Sequence, residues 1–136
     1  MPSFSQSSLD KLNSADPKLQ RVMKEVIKYV DCTILCGHRG KEDQDHAVAS
    51  GASKTPWPTS KHNSTPSRAI DVAPYPIDWS NKVKVLARFY YLAGYIKSVA
   101  DSMGVQLRWG GDWDGDIDFS DQTFDDLPHF ELLGDK

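Results

Sequence analysis

The sequence predicts an α+β domain in which helices pack on a small antiparallel sheet. Three observations predict it. Segments 17–30 and 83–103 carry apolar residues at helical spacing. Short apolar or alternating runs at 32–36, 68–73, 105–109 and 130–133 have the length of strands. The stretches between them are rich in proline, glycine, serine and asparagine, which make turns. A chain of 136 residues with 39% apolar content buries a core without disulfides or metal staples, so one domain spanning 1–136 is expected, with about 1–16 as an N-terminal extension.

Each element has its own signal. Asp16-Pro17 reads as an N-cap followed by proline in the first turn, and Leu19, Val22, Met23, Val26, Ile27 and Val30 then mark one helix face. Cys32-Thr33-Ile34-Leu35-Cys36 is a short apolar strand, and 42–50 reads as a helix closed by Gly51. Pro56, Pro58 and Pro66 bar regular structure from the loop that follows. Segment 68–73 is a strand stopped by Pro74 and Pro76. Val85, Leu86, Phe89, Leu92, Tyr95, Ile96, Val99 and Met103 then repeat at helical spacing up to Gly104. Segments 105–109 and 130–133 supply the last two strands.

Composition excludes several functions. The net charge of −3 is mildly acidic, and no Lys/Arg cluster with interleaved aromatics offers a surface to phosphates, so nucleic acid is not an expected partner. No apolar run approaches the roughly 18 residues that a membrane span needs. The start Met1-Pro2-Ser3-Phe4-Ser5-Gln6 lacks a basic segment followed by an apolar one, so no secretory signal is expected and the chain is read as a cytoplasmic monomer. Cys32 and Cys36 lie four residues apart in one strand, about 13 Å at about 3.3 Å per residue, too far for a disulfide. They are expected to be buried free thiols.

The loops carry the chemistry. Ser60-Lys61-His62 is followed by Ala69-Ile70-Asp71, and Asp126-Leu127-Pro128-His129 comes near the C-terminus. Imidazole nitrogen and carboxylate oxygen both suit zinc, and a catalytic zinc wants three protein ligands, an open position and a separate carboxylate as base. His62, Asp71 and His129 supply the ligands, and Asp126 the base. A second cluster, Asp112, Asp114, Asp116, Asp118 and Asp121, sits in a loop where alternating carboxylates could surround calcium. It is not a complete EF-hand, because glycine stands fourth and Thr123 occupies the place of the closing glutamate. Trp57, Trp79, Trp109 and Trp113 are candidates for stacking on sugars or for walling a cleft. His38 and His46 could line the same cleft, whereas Asp78 and Glu131 read as helix-cap and strand-surface residues.

These motifs resemble the zinc peptidase family that includes D-Ala-D-Ala carboxypeptidases, D-Ala-D-Ala dipeptidases and the L-alanyl-D-glutamate peptidases used as phage endolysins. The sequence is most similar to the last group, through Ser60-Lys61-His62, Ala69-Ile70-Asp71-Val72-Ala73-Pro74, Leu107-Arg108-Trp109-Gly110-Gly111-Asp112-Trp113 and His129-Phe130-Glu131-Leu132. The resemblance implies that His62, Asp71 and His129 hold zinc, that Asp126 is the catalytic acid/base, and that Arg39 polarises the scissile carbonyl. It implies a peptidoglycan peptidase cutting the stem peptide, most similar to those acting between L-Ala and D-Glu. A D-Ala-D-Ala carboxypeptidase and a non-catalytic wall-binding module are the alternatives. An endolysin would wait in the host cytoplasm until released to the wall. Two departures accompany the match. Eight residues separate His62 from Asp71 where the common form has six, and the base is aspartate where many members carry glutamate.

Overall fold

A computed structural model describes residues 2–121 and 125–134. Its helices are α1 (Gln6–Asn13), α2 (Pro17–Val26), α3 (Lys41–Ala49) and α4 (Val83–Ser102), and its strands are β1 (Cys32–Cys36), β2 (Ala69–Pro74), β3 (Leu107–Gly110) and β4 (Asp126–Leu132). The strands form one antiparallel sheet in the order β1-β2-β4-β3. This is the expected α+β architecture.

One face of the sheet makes the core. Ile34, Ile70, Val72, Phe130 and Leu132 pack against Leu19, Val22, Met23 and Val26 of α2 and Leu92, Ala93, Ile96 and Ala100 of α4. The cap of α2 is as its sequence predicts: Asp16 Oδ1 accepts from Lys18 N at 2.8 Å, and Pro17 takes the first turn. That helix stops at Val26, earlier than the periodicity suggests. The chain continues in turn bonds, with Tyr29 N and Val30 N both donating to Val26 O, so Ile27 and Val30 still reach the core.

Two elements differ from expectation. Residues 6–13, to which periodicity assigned nothing, form α1, which packs on β1 through buried Leu12 and through Ser8, whose Oγ accepts from Ile34 N at 3.1 Å. β4 begins at Asp126, four residues before its expected start. Pro128 is tolerated there because the β3–β4 register jumps from Trp109↔Phe130 to Gly110↔Asp126, a bulge that asks no ladder hydrogen bond of the proline. The site-bearing residues Asp126 and His129 therefore share one strand.

A second bulge aims a side chain at the site. On β1 the register passes from Ile34↔Val72 to Cys36↔Asp71, so an extra residue is accommodated opposite β2. Regular pairing would put Leu35 beside Asp71; the bulge brings Cys36 there instead.

Candidate functional site

Strand register sets two of the proposed ligands side by side. Asp71 on β2 and His129 on β4 are direct cross-strand partners, and residues in that relation lie with their Cβ atoms about 4.5–5.5 Å apart on one face. His62 arrives from the 3₁₀ turn Lys61–Asn63. Ser60 caps that turn: its hydroxyl accepts from His62 N at 3.2 Å, while Asn63 Oδ1 accepts from Ser60 N at 3.1 Å. Arg39 N donates to His62 O at 2.8 Å and Asn63 Nδ2 to Arg39 O at 3.0 Å, which clips the turn to the β1–α3 connection. The longer loop to Asp71 does not separate the groups. Arg68 N closes it on Lys61 O at 2.8 Å, and Ser67 N bonds Ser14 O at 3.0 Å.

Two of the donor separations suit a metal ion. His62 Nε2 and His129 Nδ1 each lie 3.3 Å from the same oxygen, Asp71 Oδ1. A tetrahedral ion with ligands at about 2.0–2.1 Å holds its donor atoms about 3.3–3.4 Å apart. His62 Nδ1 faces Gly37 O at 2.8 Å and His129 Nε2 faces Glu131 Oε1 at 2.8 Å, both acceptors that call for N–H, so loss of the other proton from each ring would leave its lone pair turned to Asp71. Among the described residues, the group here whose donor atoms all lie within 4.8 Å of one another and could hold a metal ion is Cys36, His62 and Asp71, with Cys36 Sγ 3.8 Å from His62 Nδ1; His129 joins it through Asp71 Oδ1 rather than as one of its members. Cys32 is a buried free thiol as expected, but Cys36 is only half-buried and stands at this site.

At this cluster imidazoles and carboxylates share protons. Burial opposes charge on His62, yet hydrogen bonds with Asp71 and Cys36 outweigh it and raise the imidazole to about 10. His129 rises to about 9 against the same burial, through Asp71 and Glu131. Asp71 is held far below the ordinary carboxylate range, burial being overcome by its bonds to His129 and His62. Asp126 moves the other way. Burial, then repulsion from Asp71, raises it to about 6 against the pull of His129, His62 and Arg39.

Asp126 and Arg39 line the same cleft, of about 540 Å³, as the three ligand candidates. Arg39 Nη2 lies 3.3 Å from Asp71 Oδ2, and Nη1 donates to Gln44 Oε1 at 3.0 Å, so the guanidinium is held at the site and is not a surface or sheet-capping group. Gln44, fully buried on α3, carried no sequence signal. Its Oε1 also accepts from Asn63 Nδ2 at 3.2 Å, and its Nε2 donates to Ser53 Oγ at 3.0 Å and Thr55 O at 2.6 Å, so one amide ties Arg39, the His62 turn and the cleft wall together.

Glu131 corrects the reading of it as a strand-surface residue. It is only 8% exposed, receives His129 on Oε1, and meets Lys61 at 3.3 Å and Arg108 at 3.1 Å on Oε2. Burial would raise its carboxyl, but His129, Lys61 and Arg108 lower it to about 2. Its signal was in the sequence: in a strand, residues two apart share a face, so Glu131 had to point where His129 points.

The acidic loop gathers only part of its carboxylates. Oxygens of Asp112, Asp114 and Asp116 lie within 4.8 Å of one another, and Asp112 Oδ1 is buried without a hydrogen-bond partner among the described residues. Asp118 caps the next turn instead, accepting from Ser120 N at 3.0 Å. The side chain of Asp121, like Thr123, lies outside the described residues. Trp109 is core, donating to Leu127 O at 2.6 Å; Trp113 packs 5.5 Å from His129; Trp79 stands exposed on the cleft rim. His38 and His46 are exposed and are not among the residues that line the cleft.

Comparison with known proteins agrees with this geometry. The family model described as phage L-alanyl-D-glutamate peptidase matches residues 2–133. An L-alanyl-D-glutamate peptidase of Escherichia phage T5 is 30% identical over 139 residues, covering 96% of this chain and 97% of the relative. The crystal structure of the Serratia marcescens L-Ala D-Glu endopeptidase ChiX superposes with a TM-score of 0.75 at 25% identity, covering 97% of this chain and 91% of the other. A family match over nearly the whole length, on a fold that brings His62, Asp71, His129 and Asp126 into one cleft, leads to one conclusion: the chain belongs to the phage L-alanyl-D-glutamate peptidase family.

Proposed function

We propose that this protein is a zinc-dependent peptidoglycan peptidase that hydrolyses the stem peptide between L-Ala and D-Glu. The observation that carries the reading is the pair of 3.3 Å separations from His62 Nε2 and His129 Nδ1 to Asp71 Oδ1, in a chain of this peptidase family. His62, Asp71 and His129 would hold the ion and leave one position open. When bound, zinc supplies a Lewis acid and lowers the pKa of its water to about 7.

The chain's own residues account for the remaining steps. Asp126, raised to about 6, is a carboxylate with the basicity that proton transfer near neutral pH requires. It takes a proton from the attacking water as the water oxygen bonds to the L-Ala carbonyl carbon. Arg39, fixed by Gln44, places permanent positive charge beside the oxygen on which negative charge then develops. Protonated Asp126 gives its proton to the D-Glu nitrogen as the C–N bond breaks, leaving an L-Ala carboxylate and a free amine. As a shorter side chain than glutamate, Asp126 must come to the water through the backbone, which the start of β4 beside Gly110 provides.

Digestion of purified peptidoglycan, with mass spectrometry of the new termini, tests the reading. A new D-Glu amine is expected. Released D-Ala would indicate a D-Ala-D-Ala carboxypeptidase, and binding without cleavage a wall-binding module. We further propose calcium at Asp112, Asp114 and Asp116, supported by their clustered oxygens and the unpartnered Asp112 Oδ1. Isothermal titration without heat in the millimolar range would remove it. We propose as well that the protein is a monomeric endolysin held in the host cytoplasm until it reaches the wall; among the described residues no helix is long and apolar enough to cross a membrane.

A further inference from the structure

The cleft does not end at the catalytic carboxylate. A second groove of about 370 Å³ shares Ala52, Trp79, Asp126 and Pro128 with it and continues past them toward Ser80 and Leu86. We infer that this groove is a subsite for the N-acetylated sugar that carries the stem peptide, with Trp79 as its stacking platform. The inference rests on the L-Ala–D-Glu reading, because that bond is the one next to the sugar.

Substrate chemistry requires such a place. In peptidoglycan the L-Ala nitrogen is acylated by the lactyl group of the muramic acid ring. The ring therefore begins roughly two residue lengths, about 7 Å, from the scissile carbonyl. An enzyme cutting there must accommodate the sugar at the mouth of its cleft, and Asp126 borders the adjoining groove as it borders the cleft.

The lining suits a sugar. Trp79 is 62% exposed where it lines the groove, so its ring is available to a ligand. Its ring is braced by Phe89 at 5.7 Å and an interplanar angle of 32°, so it is held as a fixed plate at low entropic cost of binding. Apolar faces of pyranose rings pack on such plates. Ser80, the next residue, lines the same groove, and its N–H donates to Asp78 Oδ1 at 2.8 Å, so Trp79 sits on an ordered turn.

The test compares two soluble substrates of identical peptide sequence, one carrying N-acetylmuramic acid on L-Ala and the other a plain N-acetyl group. Wild type is expected to favour the sugar-linked form by roughly tenfold in kcat/KM, the scale of one aromatic contact. Trp79→Ala should bring the ratio toward one, and Trp79→Phe should retain part of it. Equal kcat/KM for both substrates in wild type, which needs no variant to fold, overturns the subsite, as does an unchanged ratio in Trp79→Ala. Titrating a peptide-free glycan fragment while watching the Trp79 indole N–H by NMR tests binding apart from catalysis. A saturable shift supports the subsite and no shift overturns it. If the fragment shifts Trp79 while neither substrate is cut, the assigned bond is wrong and the sugar site stands.

Discussion

At the scale of single residues, Asp126 and Glu131 show how two carboxylates in one cleft take opposite parts. Glu131 is surrounded by Lys61, Arg108 and the His129 N–H and stays ionised, whereas Asp126 faces Asp71 from a buried position and is raised to about 6. Asp126→Asn should retain the metal and lose hydrolysis by at least about a hundredfold, the usual worth of a general base. The same change should stabilise the metal-free protein. A carboxyl raised in the folded state contributes stability that is complete below its unfolded value of 3.8 and is lost as pH rises through about 6. Metal-free Asp126→Asn should thus melt above wild type at pH 7, with the gap closing below about pH 4; calorimetry at the two pH values checks it. Glu131→Gln leaves an acceptor for His129 but removes the charge, and should weaken metal affinity by about 10–100-fold. Competition with a chromophoric chelator measures that loss, and an unchanged affinity would remove Glu131 from the site.

At the scale of elements, the site is a product of register. Asp71↔His129 pairing, the bulge that turns Cys36 inward, and the close approach of β3 to Asp126 place groups that no local motif could place alone. Gly110 makes that approach possible: a Cβ there would lie 2.1 Å from Asp126 O and 2.9 Å from its Cβ, so Gly110→Ala must push the two strands apart. We expect that variant to lose hydrolysis by more than it loses zinc, because His129 and Asp71 are paired on the other edge of β4; kcat and metal stoichiometry measured on one preparation check it. The legibility of the sequence follows the same division. α2 and α4 were readable because their apolar faces repeat through many turns. α1 was not, since its buried side is only Ser8 and Leu12 and part of its hold is a side-chain hydrogen bond to β1. The first half of β4 was hidden by Pro128, which reads as a strand breaker unless the bulge is known. Residue type and motif context pointed to His62, Asp71, His129 and Asp126 as one cluster, and the structure brings all four to one cleft. Glu131 was overlooked because charge suggested solvent where alternation pointed inward, and Gln44 because a polar residue on a short helix looks no different from a solvated one.

At the scale of the whole molecule, the proposed zinc site makes stability and metal affinity depend on the same protons. His62 and His129, raised to about 10 and about 9, are protonated at neutral pH and share the carboxylate of Asp71 in place of an ion. A histidine raised above its unfolded value contributes stability fully present below about 6.5 and lost as pH climbs through the folded value. The metal-free protein should therefore lose stability between about pH 7 and pH 10, the range in which these protons leave and Asp71 becomes a buried carboxylate with neutral neighbours. Zinc must displace the same protons, so its affinity should rise with pH over that range while the folded state becomes more dependent on it. Titration calorimetry at pH 7 in two buffers of different ionisation enthalpy measures the protons released. More than one per zinc is expected; none would mean that the imidazoles are already neutral. With zinc in excess, the melting temperature should rise with free-ion concentration as binding to the native state requires, and a chelator should reverse it.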